Sequence, residues 1–126
     1  MKRNPFDNKT QTEITNNLTQ SIIDVIRKAG GYAKRINVTS VRGRKATNAG
    51  HPDIDAMFKG VPFKVEIKKD SKDKLNLKQI EFKKEYESAG GIIIVVYRLD
   101  LFLLEFETIN KIANILKIQM ETFFKN

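Results

Sequence analysis

The order of apolar patterns along the chain predicts an α/β fold, a mixed central β-sheet flanked by helices in the order α-β-β-β-α-β-α. Two observations carry this prediction: helical spacing of apolar residues near both ends, and strand-like alternation between them. A chain of 126 residues is long enough to bury its own core. We therefore expect one domain over residues 1–126, with residues 1–9 flexible and residues 100–126 forming a C-terminal helical extension.

The first half contains one helix and three strands. Apolar residues recur at helical spacing over residues 10–29, and a Gly-Gly pair then ends the helix. Residues 32–41 can form a strand. Residues 54–58 and 61–68 alternate with the two-residue period of half-buried strands, and the Lys-Gly pair between them predicts a hairpin.

The second half contains two helices and one strand. The middle helix begins near Asn76 and ends at a second Gly-Gly pair. The uninterrupted β-branched run over residues 92–97 predicts a central, buried strand. Apolar residues at helical spacing after Asp100 predict the C-terminal helix, which can serve as core or as a dimer face.

Composition restricts the function classes. The formal net charge of +8 points to an anionic partner, and nucleic acid is favoured over a membrane because no run of about 18 apolar residues exists. Zero cysteines exclude disulfides, thiolate zinc sites and cysteine nucleophiles. The polar start of the chain does not read as a signal peptide, so the cytoplasm is the expected location.

The predicted hairpin brings acid and base groups together. Asp53 precedes its first strand, and alternation places Glu66 and Lys68 on one face of its second strand. Mg²⁺ prefers oxygen ligands, so Asp53, Glu66 and the backbone carbonyl of Ile67 are candidate metal ligands. Lys68 is then placed to hold a water or to stabilise developing negative charge. Mn²⁺ is expected to substitute for Mg²⁺.

Several motifs together resemble the VRR-NUC branch of the PD-(D/E)XK nuclease superfamily, over about residues 13–104. The motifs are Gly50-x-Pro52-Asp53, Glu66-x-Lys68, the residues Leu75, Leu77 and Gln79, and Ala89-Gly90-Gly91. The resemblance implies a restriction-endonuclease-like core. It also implies that Asp53 and Glu66 bind the divalent metal, that Lys68 assists the attacking water, and that Glu13 completes the site. Gln79 matches the glutamine typical of this branch.

The same resemblance implies an activity. It indicates a divalent-metal-dependent endonuclease that leaves a 5′-phosphate, selective for branched or junction DNA and similar to a Holliday junction resolvase. Standalone members of the family resemble dimers, so a homodimer is expected. DNA is favoured over RNA as the substrate.

Two of the candidate residues have simpler alternative roles. Glu13 follows Thr10 by three places and Gln79 follows Asn76 by three places, which is the spacing of a helix capping box. Lys68 can also be a solvated strand residue paired with Glu66.

Two residues near Asp53 are weaker candidates for the site. His51 reads as polar loop surface rather than as a general base. Asp55 reads as an exposed acid or a salt-bridge partner rather than as a second ligand.

A basic loop precedes the metal-binding strands. Arg42, Arg44 and Lys45 lie among small residues, and with Lys69 we expect them to contact phosphates. The alternative is a solvated loop that contacts nothing.

Two other function classes remain open at this stage. One is a catalytically inactive nuclease fold that only binds branched nucleic acid, against which the intact Asp53, Glu66 and Lys68 argue. The other is a structural or assembly protein whose basic surface serves solubility. Nucleic-acid binding without Mg²⁺-dependent nicking favours the first, and salt-insensitive or absent binding favours the second.

Overall fold

The element order predicted from the sequence is confirmed. A computed structural model describes residues 11–36 and 50–125, excluding the side chains of residues 11 and 12. Its elements are α1 (Gln11–Lys28), β1 (Tyr32–Arg35), β2 (Ile54–Phe58), β3 (Val61–Ile67), α2 (Leu77–Ser88), β4 (Ile93–Val96) and α3 (Leu99–Phe124). The predicted flexibility of residues 1–9 and the predicted continuation of the first strand to residue 41 lie outside the described residues.

The four strands form one mixed sheet in the order β1-β2-β3-β4. Neighbours are antiparallel from β1 to β3, and β4 runs parallel to β3. The predicted hairpin turn has φ of 47° at Lys59 and 84° at Gly60. Positive φ at both central residues is the type I′ geometry, whose twist matches that of the flanking strands.

The prediction that β4 is a central strand is wrong for the described sheet. It lies at the edge, where Ile94 and Val96 are buried on one face while Val95 is 39% exposed on the other. An uninterrupted β-branched run indicates a strand that pairs in parallel, as β4 does with β3. It does not reveal whether a further strand pairs on the far side.

The core lies between one face of the sheet and helices α1 and α3. Its largest fully buried side chains are Phe63, Phe102, Ile22, Ile26, Ile54, Ile109, Val65 and Val96. The first half of α3 thus belongs to the core, whereas its residues 114–124 are all exposed. No helix within residues 11–36 and 50–125 is long and apolar enough to cross a membrane.

The opposite face of the sheet is covered much less. Helix α2 contacts β4 there and buries none of its own residues. The polar side chains of β2 and β3 lie on that face, and they include Glu66 of the predicted site, which is buried although Asp55 and Lys64 are only half-buried.

We expect Phe63→Ala to lower the free energy of unfolding by about 3–5 kcal/mol, because it removes a fully buried ring and leaves a cavity. Urea denaturation measures this change. Leu104→Ala, at a residue that is 65% exposed on α3, serves as the control and should change stability by less than about 0.5 kcal/mol. Equal effects of the two substitutions would contradict the assignment of the core.

Candidate active site

Asp53 and Glu66 converge at the end of the hairpin away from its turn. Ile54 pairs with Val65, which places Asp53 beside Glu66 in the next position of the register. The Oδ2 atom of Asp53 accepts a hydrogen bond of 2.7 Å from the backbone N–H of Ile67. Glu66 is only 5% exposed. The structure therefore brings the two predicted carboxylates together in a largely dry position.

Gly50 lets the segment that carries Asp53 lie against the start of α2. Its φ is 83°, and a Cβ atom there would stand 2.5 Å from the carbonyl oxygen of Lys78. Both the left-handed conformation and the close approach require glycine. The glycine of the Gly-x-Pro-Asp motif thus allows α2 to pack close to Asp53.

Gln79 both caps α2 and contacts the candidate site, the two roles that the sequence offered for it. Its Oε1 atom accepts hydrogen bonds from the backbone N–H of Asn76 at 2.9 Å and from Nζ of Lys68 at 3.0 Å. Its Nε2 atom donates to Oε1 of Glu66 at 2.9 Å. Because an ammonium can only donate and a carboxylate accepts, these neighbours fix the orientation of the amide.

Lys68 is buried, so the alternative of a solvated strand residue that is paired with Glu66 is wrong. It is 8% exposed, and its Nζ atom also donates to the carbonyl oxygen of Lys74 at 3.3 Å. Its backbone N–H donates to Val96, which ties the residue to β4. The ammonium is thereby held beside Glu66 through the Gln79 amide.

Two residues near the site were missed from the sequence. The Oδ1 atom of Asp73 lies 3.9 Å from Nζ of Lys68, and Lys83 lines the same cleft as Glu66 and Gln79. Lys83 stands four places after Gln79, so helical spacing places both on one face of α2. Asp73 lies in a loop, and no periodic pattern marks it.

The electrostatics of the site favour a bound cation. The pKa of Glu66 is raised from 4.5 to about 8, chiefly by burial and then by the charge and hydrogen bond of Asp53, while the charge of Lys68 acts in the opposite direction. Two adjacent carboxylates repel each other when both are ionised. A hard divalent cation binds carboxylate oxygens and offsets that repulsion. The residues therefore fit Mg²⁺ or Mn²⁺.

The described residues contain no cluster of three or more His, Asp or Glu side chains suited to a metal. A cation at Asp53 and Glu66 would complete its shell with other oxygens, such as waters or substrate phosphate, as Mg²⁺ usually does. The carbonyl of Ile67 stays a predicted ligand.

The other predicted site residues are either exposed or lie outside the described residues. Glu13 is exposed in the first turn of α1, and its role as ligand or cap stays a prediction. Lys69 is exposed, with its backbone N–H bonded to Asp73 at 3.1 Å. The basic loop residues Arg42, Arg44 and Lys45 lie outside the described residues.

His51 and Asp55 belong to a second polar network next to the carboxylates. Nδ1 of His51 lies 2.6 Å from the Pro52 carbonyl oxygen, and Nζ of Lys64 lies 3.1 Å from Nε2. Because the ammonium can only donate, the ring proton belongs on Nδ1. Lys64 also pairs with Asp55, which confirms the salt-bridge alternative for that acid. His51 contacts the ring of Phe82 at 5.0 Å and so links the sheet to α2.

Comparison with known proteins supports the fold. No protein-family model and no curated protein matches the chain. A solved structure described as a VRR_NUC domain matches with a TM-score of 0.56 and 22% identity, covering 72% of this chain and 92% of the other. The chain has the fold of a VRR_NUC domain.

The VRR_NUC fold confirms the architecture that the sequence motifs implied. At 22% identity the likeness shows the fold alone. The chemistry must be argued from the residues that this chain places on the fold.

The pH dependence of stability tests the electrostatics of the site. Because the pKa of Glu66 is raised to about 8, the native state holds the proton more tightly than the unfolded chain. The resulting stabilisation is complete below the ordinary pKa of 4.5 and is lost as pH rises through about 8. In chelator, the free energy of unfolding of the wild type relative to Glu66→Gln should therefore fall between pH 5 and 8, on the order of a few kcal/mol.

Excess Mg²⁺ should flatten this difference, because it stabilises the native state more at pH 8, where Glu66 loses its proton more readily, than at pH 5. Urea denaturation at several pH values measures both effects. Parallel pH profiles of wild type and variant in chelator would show that the environment of Glu66 is wrongly assigned.

Proposed function

We propose that the protein is a divalent-metal-dependent endonuclease that hydrolyses phosphodiester bonds in nucleic acid. The observation that carries this proposal is the single hydrogen-bonded unit formed by Glu66, Gln79 and Lys68 beside Asp53. Two carboxylates suited to Mg²⁺ and one buried ammonium are the groups that metal-assisted phosphodiester hydrolysis requires. The VRR_NUC fold supports the same conclusion.

The residues have distinct parts in this chemistry. Asp53 and Glu66 would hold Mg²⁺ or Mn²⁺, which would supply an activated water and neutralise phosphate charge. Lys68 orients the attacking water or stabilises the negative charge that develops on the phosphate. Gln79 holds the side chains of Lys68 and Glu66 in position through the two hydrogen bonds of its amide. The resemblance implies that the product carries a 5′-phosphate.

The substrate proposed is branched or junction DNA in the cytoplasm. The net charge of +8 supports an anionic partner, and contacts to phosphates set position without reading sequence. Selectivity for nucleic-acid shape is the simplest property for such contacts to supply. A module that binds branched nucleic acid without cutting is less well supported, because a binding module has no need of a buried lysine held beside paired carboxylates.

A homodimer through α3 is part of this proposal. The core stripe that includes Ile109 and Ala113 continues along the same helix face to Leu116, Met120 and Phe123, which are 45%, 56% and 76% exposed. The continuity of this apolar face with the core favours a second copy of this chain as the occupant.

Cleavage assays test the chemistry. Asp53→Asn, Glu66→Gln and Lys68→Met should each reduce Mg²⁺-dependent nicking of a four-way junction by at least about 100-fold, because each removes charge that acts on the metal, water or phosphate. Binding to the same junction in chelator should persist. Mg²⁺ should raise the melting temperature of the wild type and of Lys68→Met, but not of Glu66→Gln.

Glu81→Gln is the matched control, since Glu81 is an exposed acid on α2. It should cut like the wild type. Wild-type rates for Asp53→Asn or Glu66→Gln would overturn the site assignment. Junction binding by the wild type without any nicking in Mg²⁺ or Mn²⁺ would favour the inactive binding module.

Light scattering tests the dimer. Leu116→Glu combined with Met120→Glu should convert a dimer into a monomer of unchanged circular dichroism, because two charges would be buried in the helix pair. Leu104→Glu, on the exposed side of the first half of α3, should remain a dimer. A wild-type protein that is monomeric across the concentrations of the cleavage assay would refute the dimer.

A further inference from the structure

The open face of the sheet carries an exposed row of side chains that the chemistry above does not use. Tyr32 pairs with Met57, and Met57 pairs with Pro62, so the three lie side by side on β1, β2 and β3. Tyr32 is 57% exposed and Met57 is 46% exposed, and Pro62 is exposed as well. Their neighbours Ala33, Ala56 and Phe63 point into the core.

This row lies on the same sheet face as the metal site. On β2, Asp53 and Met57 are four residues apart, so the row stands about 14 Å from the carboxylates at roughly 3.4 Å per residue. Helix α2 contacts β4 and, through Gln79, Glu66 of β3, so within the described residues no helix covers β1 or β2 on this side.

A charged row separates the two. Lys34, Asp55 and Lys64 are cross-strand neighbours between the apolar row and the carboxylates. Asp55 is neutralised by its ion pair with Lys64, whereas Lys34 is exposed. A polymer that crosses this face therefore meets a positive charge between an aromatic side chain and the predicted metal.

We propose that Tyr32, flanked by Met57 and Pro62, is a stacking platform for an unpaired base of the nucleic acid, with Lys34 contacting the adjacent phosphate. Aromatic side chains on an open sheet bind bases in this way, because every base has a π-face and the contact tolerates any sequence. Paired bases inside a duplex do not offer that face. The platform thus selects substrates with unpaired bases a few nucleotides from the scissile phosphate.

This inference rests on the proposed function for its choice of ligand, and charge favours nucleic acid over an apolar protein partner. The platform lies on the same sheet face as the candidate active site, and the charged row with the exposed Lys34 lies between them.

Binding in chelator tests the platform without any cleavage. Fluorescence anisotropy should show that Tyr32→Ala weakens binding of a labelled single strand and of a flapped duplex about 5- to 100-fold, the range of one lost stacking contact. Binding of a blunt duplex should change less than about twofold. Tyr32→Phe should retain wild-type affinity, because the ring and not the hydroxyl makes the contact.

Lys34→Ala should act differently. It should weaken binding to single strand and flap and reduce the slope of log affinity against log salt by roughly 0.7 for the single strand. Leu77→Ala, at a residue that is 70% exposed on α2, is the control for loss of exposed apolar area and should bind all three probes like the wild type.

The outcomes separate the two proposals. Equal loss of flap and blunt-duplex binding in Tyr32→Ala, or no loss in either, would overturn the platform even if the wild type cuts. A Tyr32-dependent preference for unpaired bases in a protein that never cuts would support the platform and refute the nuclease. Loss of self-association in Tyr32→Ala, with nucleic-acid binding intact, would assign the row to a protein contact and overturn the platform.

Discussion

The amide of Gln79 is the contact on which the arrangement of the candidate site depends. Lys68 and Glu66 are both buried, and each polar side chain would be costly to hold there without a hydrogen-bond partner. The amide satisfies both, accepting from Lys68 and donating to Glu66. Its oxygen also caps the helix that carries it. Helix position and site geometry are therefore fixed by the same side chain, so a shift of α2 would disturb the charges directly.

The unequal covering of the sheet explains where a polymeric substrate can bind. Helices α1 and α3 pack on one face and form the core, while α2 lies on the other face, where it contacts β4 and Glu66 of β3. Glu66 is buried beside α2 and Asp53 is half-buried, but the rest of their sheet face stays open within the described residues. A long, charged substrate of the kind proposed could therefore reach the candidate site along a surface instead of entering a closed pocket.

Much of the fold could be predicted because local chemistry determines it. The hairpin followed from alternation and a Lys-Gly turn, and the start of α2 followed from the capping spacing of Asn76 and Gln79. The place of β4 in the sheet could not be predicted in this way. A β-branched run favours a strand in any position, and only pairing with other segments decides whether it is central or at the edge.

For the candidate site, the sequence by itself determined the residue types, their spacing and the face of β3 that carries Glu66. Period-two alternation and the chemistry of hard cations suffice for that much. Only the tertiary structure decided that Gln79 both caps and bridges, that Lys68 is buried, and that Asp73 and Lys83 lie nearby. These contacts join residues on separate elements, and their geometry depends on how α2 packs against the sheet, which no local pattern encodes.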